Sequence, residues 1–173
     1  MSAHTVLIAG IGNIFLGDDA FGVEVARQLS QRPLPEGVRV EDFGIRGFDL
    51  TYALMENHDA VVMVDAMPRG GAPGTLYVIE PDHGESNGQE AQDMALDPHG
   101  MNPMKVLQMV KAMGGQPRRV LIVGCEPATF GPEEGQMGLS EPVQKAVDKA
   151  VSLIERLIAT LQEDPTLQSL TVL

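Results

Sequence analysis

The chain has one cysteine, no tryptophan and few aromatic residues, and each scarcity excludes something. A lone Cys125 rules out a disulfide framework and any Cys-x-x-Cys metal or redox site. Aromatic side chains are 4% of 173 residues, which leaves few rings to stack on a flavin. Cations are scarce too: 12 Lys plus Arg face 24 Asp plus Glu, for a formal charge of -12. Nucleic acids and anionic membrane surfaces are polyanions, so this balance argues against both as partners. The apolar runs, such as Val6-Leu7-Ile8-Ala9, are far too short to cross a bilayer. The N-terminus lacks the basic, apolar and small-residue order of a signal peptide. What is present is a hydrophobic fraction of 43%, enough for a sizeable core. At roughly 100–200 residues per domain, the composition predicts one cytoplasmic domain over residues 1–173.

Short β-branched runs alternate with helical patterns. Residues 5–9 read as a strand buried on both faces. Asp18 then stands where an N-cap would open a helix with Phe21, Val25 and Leu29 on one stripe. Residues 38–43, 60–64, 74–80 and 120–123 read as further strands. Helices are expected over 50–56, from Asn102-Pro103 to Gly114-Gly115, and over 140–162. Residues 166–173 have no pattern and read as a loose tail. Strands alternating with helices make βαβ units, so the fold class is α/β. The expected architecture is three layers, α/β/α, around a twisted, mainly parallel sheet. Residues 81–98 hold five carboxylates and no Lys or Arg, and read as a mobile acidic loop.

In open α/β sheets the ligand crevice lies at the carboxyl ends of the strands, and this rule sorts the polar residues. Gly10-Ile11-Gly12-Asn13 closes strand one, but Phe15 stands where a dinucleotide fingerprint needs glycine. The glycines therefore read as a tight turn. Asp18-Asp19 follows on the same rim, one more carboxylate than a cap needs. Asp65 follows Val61-Val62-Met63-Val64, as a site residue or as a turn cap. His4 and His58 precede their strands and fall on the wrong edge. His83 and His99 follow a strand, and His99 sits between Pro98 and Gly100, where the backbone is restricted. Facing carboxylates are unfavourable unless a cation or proton neutralises them. Two carboxylates and an imidazole suit a borderline divalent ion, and zinc, nickel, cobalt or iron would each fit. Cys125, in Gly124-Cys125-Glu126-Pro127, is a second candidate as nucleophile or as a small buried residue.

Leu7-Ile8-Ala9-Gly10-Ile11-Gly12-Asn13 followed by Gly17-Asp18-Asp19-Ala20-Phe21-Gly22-Val23 resembles the opening of the hydrogenase maturation endopeptidases. The likeness continues through Val64-Asp65-Ala66, Pro73-Gly74-Thr75, Pro98-His99-Gly100, Gly124-Cys125-Glu126-Pro127 and Gly138-Leu139-Ser140. It covers about the first 150 residues in order. The resemblance implies an endopeptidase that removes the C-terminal extension of a nickel–iron hydrogenase large-subunit precursor after nickel insertion. It also implies a divalent metal, nickel carried by the substrate, held by Asp19, Asp65 and His99 as both metal-binding and catalytic residues. The helix-start ligand is often glutamate in that family, and here it is the shorter Asp19. Many members have an Asp-Gly-Gly turn after the second strand, where this chain has Asp42-Phe43-Gly44. No Ser/His/Asp triad or His-Glu-x-x-His helix occurs. Two other readings share these residues: a flavodoxin-like cofactor binder, and a nickel-binding or docking protein that cuts nothing.

Overall fold

The computed structural model describes residues 3–81 and 101–167. Its centre is a five-stranded sheet: β1 (Val6–Ile11), β2 (Val38–Gly44), β3 (Ala60–Ala66), β4 (Leu76–Ile79) and β5 (Val120–Cys125). Spatial order is β2-β1-β3-β5-β4. The first four of these run parallel, and β4 pairs antiparallel with β5 on the edge. Side chains alternate between two cores. Val6, Ile8, Val62, Val64, Leu121 and Val123 pack under α1 (Phe21–Ser30) and the long C-terminal α4 (Glu141–Glu163). Leu7, Ala9, Ile11, Val61, Met63 and Ile122 pack under α2 (Gly47–Met55) and α3 (Pro103–Ala112). That is the expected three-layer α/β/α arrangement.

The central strands are buried at every position and, Asp65 apart, carry no charged or polar side chain because both faces are covered, which is why no alternation marks them in the sequence. In α4, Val143, Val147, Val151, Ile154, Ile158 and Leu161 are buried along one stripe, as the helical spacing predicts. Asn102 caps α3 with its side chain accepting from Met104 N at 2.8 Å, and Pro103 opens the helix.

Three expectations need correction. Asp18 does not cap α1. It lies in a 3-10 turn, Gly17–Ala20, that precedes the helix, and its side chain points elsewhere. Strand β3 runs on to Ala66, so Asp65 is its penultimate residue rather than the first loop residue. The segment after β4 starts from the opposite edge, since antiparallel pairing carries β4 from Cys125 back to Ile122. The chain re-enters the described residues at Met101. There its Sδ lies 3.7 Å from where a Cβ on Gly47 would stand, beside the start of α2. The acidic loop, His83 and His99 fall on residues 82–100, outside the described residues, and so does most of the 166–173 tail.

Candidate active site

The carboxyl rim of β1, β3 and β5 gathers acidic side chains with different surroundings. Gly12 makes the first placement possible. Its φ of +147° and its closeness to the 3-10 turn exclude a side chain, because a Cβ there would meet Asp19 O at 1.8 Å. With the turn packed on β1, Asp19 Oδ2 accepts the Asn13 N–H at 2.8 Å. Asp65 is buried at 6% exposure, and its Oδ1 accepts the Ala66 N–H at 2.9 Å. Alternation puts Asp65 with Val61 and Met63, on the face covered by α2 and α3. A backbone N–H therefore helps orient each of the two carboxylates near the ends of adjacent parallel strands.

Asp18 is fully buried and has a different job. Its carboxylate accepts from Ala128 N at 2.8 Å, Thr129 N at 3.1 Å, Ser140 N at 2.7 Å and Ser140 Oγ at 2.8 Å. It ties the 3-10 turn to the loop after β5 and to the start of α4. Of the adjacent pair, one carboxylate builds the rim and the other, Asp19, is presented by it.

Glu126 is a third buried carboxylate on this rim, 6% exposed, and the sequence reading assigns it no role. The rule that selected Asp65, a polar residue at the carboxyl end of a buried strand, would have selected it too. It accepts from Arg69 N at 2.8 Å, Gly70 N at 3.1 Å and the Tyr77 hydroxyl at 2.9 Å. Burial pushes its carboxyl up, and these donors outweigh that and hold it below the ordinary range. The same contact, together with burial, pushes the Tyr77 hydroxyl up. At the opposite edge, a backbone hydrogen bond from Thr5 holds the Asp59 carboxyl down.

A carboxyl depressed by folding stabilises the fold above its unfolded pKa, near 4, and that contribution disappears as pH falls through the lower folded value. Thermal melts of the protein should be flat from neutral pH to about pH 5 and fall below about pH 4. The melting deficit of Glu126→Gln relative to wild type should be present at pH 7 and shrink in the same acidic window. A deficit as large at pH 2 as at pH 7 would mean that the Glu126 charge contributes nothing.

Cys125 is fully buried. Burial first, then the nearby carboxylates of Asp18 and Glu126, push its thiol up to about 12. A thiol so raised is protonated at neutral pH and is no nucleophile. Cys125→Ser should therefore retain processing of substrate at near wild-type rate, with a modest loss of stability from a hydroxyl in an apolar layer. Complete loss of cleavage in a folded variant would restore the cysteine mechanism.

His4 and His58 lie at the amino edge, as topology required: His4 Nδ1 is 3.5 Å from Asp59, and His58 Nε2 is 3.1 Å from Ala53 O. Asp42 holds its own turn, accepting the Gly44 N–H at 2.8 Å. Among the described residues no three His, Cys, Asp or Glu side chains form a metal-holding group, and His99 is not one of those residues. Around the carboxylates the rim loops expose Phe15 at 58%, Ile45 at 59% and Met137 at 67%, and the first turn of α2 exposes Phe48 at 70%. Exposed apolar side chains around a polar centre suit a macromolecular partner better than a small solute. No helix among the described residues is long and apolar enough to cross a membrane.

A mainly parallel sheet with acidic residues on its carboxyl rim defines an α/β protein of the class in which the ligand crevice lies at the carboxyl strand ends. Comparison with known proteins narrows this to one class. Residues 23–157 match the family model of the hydrogenase maturation proteases, HycI, and the chain belongs to that family. The protein is thus a peptidase of hydrogenase maturation. It is 29% identical over 160 residues to the hydrogenase 2 maturation protease of Escherichia coli, covering 91% of each chain. It is 33% identical over 159 residues to the hydrogenase expression/formation protein HupM of Azotobacter chroococcum, covering 91% of this chain and 73% of that one. Among solved structures it is similar to the hydrogenase maturating endopeptidase HybD of E. coli, with a TM-score of 0.69 at 29% identity. That match covers 92% of this chain and 93% of the other. The [NiFe] hydrogenase maturation protease HycI of Thermococcus kodakarensis superposes with a TM-score of 0.65 at 26% identity, over 91% and 94% of the two chains.

Proposed function

We propose that this peptidase removes the C-terminal extension of a nickel–iron hydrogenase large-subunit precursor after nickel insertion, recognising the nickel that the precursor carries. The reaction is placed in the cytoplasm. The observation that carries this reading is the pair Asp19 and Asp65, each fixed by a backbone N–H at the carboxyl end of adjacent strands. His99 is proposed as the third ligand. It lies two residues, at most about 7 Å of chain, before Met101. Met101 stands beside Gly47, at the start of α2, on the face of the sheet to which Asp65 belongs.

The donor chemistry fits the cargo: two carboxylate oxygens and an imidazole nitrogen suit a borderline divalent ion and leave positions open for substrate. Nickel held there would supply Lewis-acid polarisation of the scissile carbonyl and activation of water. The protein's own part is orientation. Asn13 and Ala66 fix the carboxylates, Gly12 lets the turn bearing Asp19 close on β1, and the exposed apolar rim seats the precursor. A protease whose substrate brings its own metal would need no Ser/His/Asp triad.

Incubating the purified protein with nickel-loaded precursor and reading intact mass tests this directly. Loss of a C-terminal fragment is expected. A complex that forms while the precursor mass stays unchanged would instead make the protein a nickel-binding or docking factor.

A further inference from the structure

The loop between β3 and β4 is built with more care than a connection needs. It leaves the rim just after Asp65 and is pinned at both ends, with Met67 N donating to Cys125 O and Gly74 N to Glu126 O, each at 2.8 Å. Between these points the Glu126 carboxylate accepts the N–H groups of Arg69 and Gly70. Gly71 is pressed so close to Tyr77 that a Cβ on it would stand 2.2 Å from the phenol oxygen. Arg69 itself is exposed, with its guanidinium carbon 5.7 Å from the centroid of the Tyr77 ring. Glu126 thus fixes the backbone of Arg69 and also, through the Tyr77 hydroxyl at 2.9 Å, the ring on which its side chain rests.

Two arginines follow strands onto this rim. Arg46, after β2, is occupied: Nη1 lies 3.2 Å from Asp49 Oδ2, and Nε donates to Phe43 O at 3.3 Å. Arg69, after β3, has no carboxylate at ion-pair distance among the described residues, and its guanidinium contact is the ring. Most other arginines are paired, Arg32 with Glu155 and Arg118 with Asp59 among them, while Arg156 on α4 has no ion pair among the described residues and lies on no pinned loop. In a chain of charge -12, an arginine held on a pinned loop with no carboxylate partner among the described residues is placed to receive an incoming anion. The planar fork of a guanidinium matches a carboxylate with two parallel hydrogen bonds.

We propose that Arg69 is a specificity-determining residue that binds a carboxylate of the precursor near the scissile bond, with Glu126 as its positioning residue. This rests on the endopeptidase reading above. Arg69 is four positions after Asp65, at most about 14 Å of chain, so with the length of the arginine side chain added the carboxylate lies within about six extended residues of the cut. It is either an acidic side chain of the extension or the terminal carboxylate of a short one.

The test compares wild type, Arg69→Gln and Arg69→Lys on nickel-loaded precursor, with circular dichroism to show that each variant is folded. Arg69→Gln should raise KM about tenfold with kcat within about twofold, and Arg69→Lys should recover part of the loss, since charge returns without the fork. Two altered precursors separate the sources of the anion. One has the acidic residues of its extension replaced by amides, and the other has neutral residues appended so that the terminal carboxylate is moved away. The one that removes the true partner should raise the wild-type KM by a similar factor and leave Arg69→Gln unaffected. An unchanged KM in Arg69→Gln, a fall in kcat alone, or full additivity with both precursors would overturn the proposal. If wild type binds the precursor and does not cut it, the endopeptidase reading fails. The same comparison of Kd values then decides Arg69 by itself. If wild type does not bind the precursor at all, the Arg69 proposal falls as well.

Discussion

Asp19→Asn and Asp65→Asn should each lower processing of nickel-loaded precursor by more than about a hundredfold while the protein stays folded. The expectation of a preserved fold comes from the geometry. Asp19 accepts a backbone N–H from Asn13 and Asp65 one from Ala66, and an amide oxygen can accept these as well. The loss of activity comes from charge, because an amide is a far weaker ligand for a divalent ion than a carboxylate. Removing one of two neighbouring negative charges also relieves their repulsion, so the melting temperature should hold or rise slightly. Differential scanning calorimetry and mass-detected cleavage on the same samples separate the two effects. A variant that loses activity by unfolding would mean that its carboxylate is structural. His99→Ala should be inactive alongside them, and an active His99 variant would move the imidazole ligand to His83.

Asp18→Asn, one residue away, should behave in the opposite manner and fail through stability. Four hydrogen bonds from three backbone N–H groups and a hydroxyl converge on that fully buried carboxylate. An asparagine can turn only one oxygen to them, and its NH2 group then faces donors with nothing to donate to. Loss of charge-assisted hydrogen bonds and the stranding of buried N–H groups should cost about 3 kcal/mol. For a domain of this size that is a fall in melting temperature of about 6–12 °C. Below its own transition the variant should still bind precursor. A melt within about 2 °C of wild type would show that the Asp18 junction contributes little to the rim.

The contrast between these neighbours marks where the sequence is legible. Periodicity locates the elements well, because burial on two faces leaves continuous β-branched runs and helical stripes have their own spacing. The direction of β4 is not written in its residues. An edge strand of four half-buried residues looks the same parallel or antiparallel, and only its pairing with β5 sets it. The rim rule finds Asp65 and the Asp18-Asp19 pair from topology alone. It does not say which of the pair faces the crevice, since that depends on partners at 128, 129 and 140, more than a hundred residues away. Glu126 was legible by the same rule and was masked by the cysteine before it. The role proposed for Arg69 is not legible, because it rests on the lack of a carboxylate at ion-pair distance among the described residues, which only packing reveals.

The central claim is that nickel in the precursor is the signal for cleavage. The most direct test sets apo precursor and nickel-loaded precursor side by side with wild-type protein under strict chelation of free metal, and reads intact mass over time. Loss of the C-terminal extension from the loaded precursor is expected, with an unchanged mass for the apo form. Cleavage of the apo precursor at a comparable rate would contradict the claim.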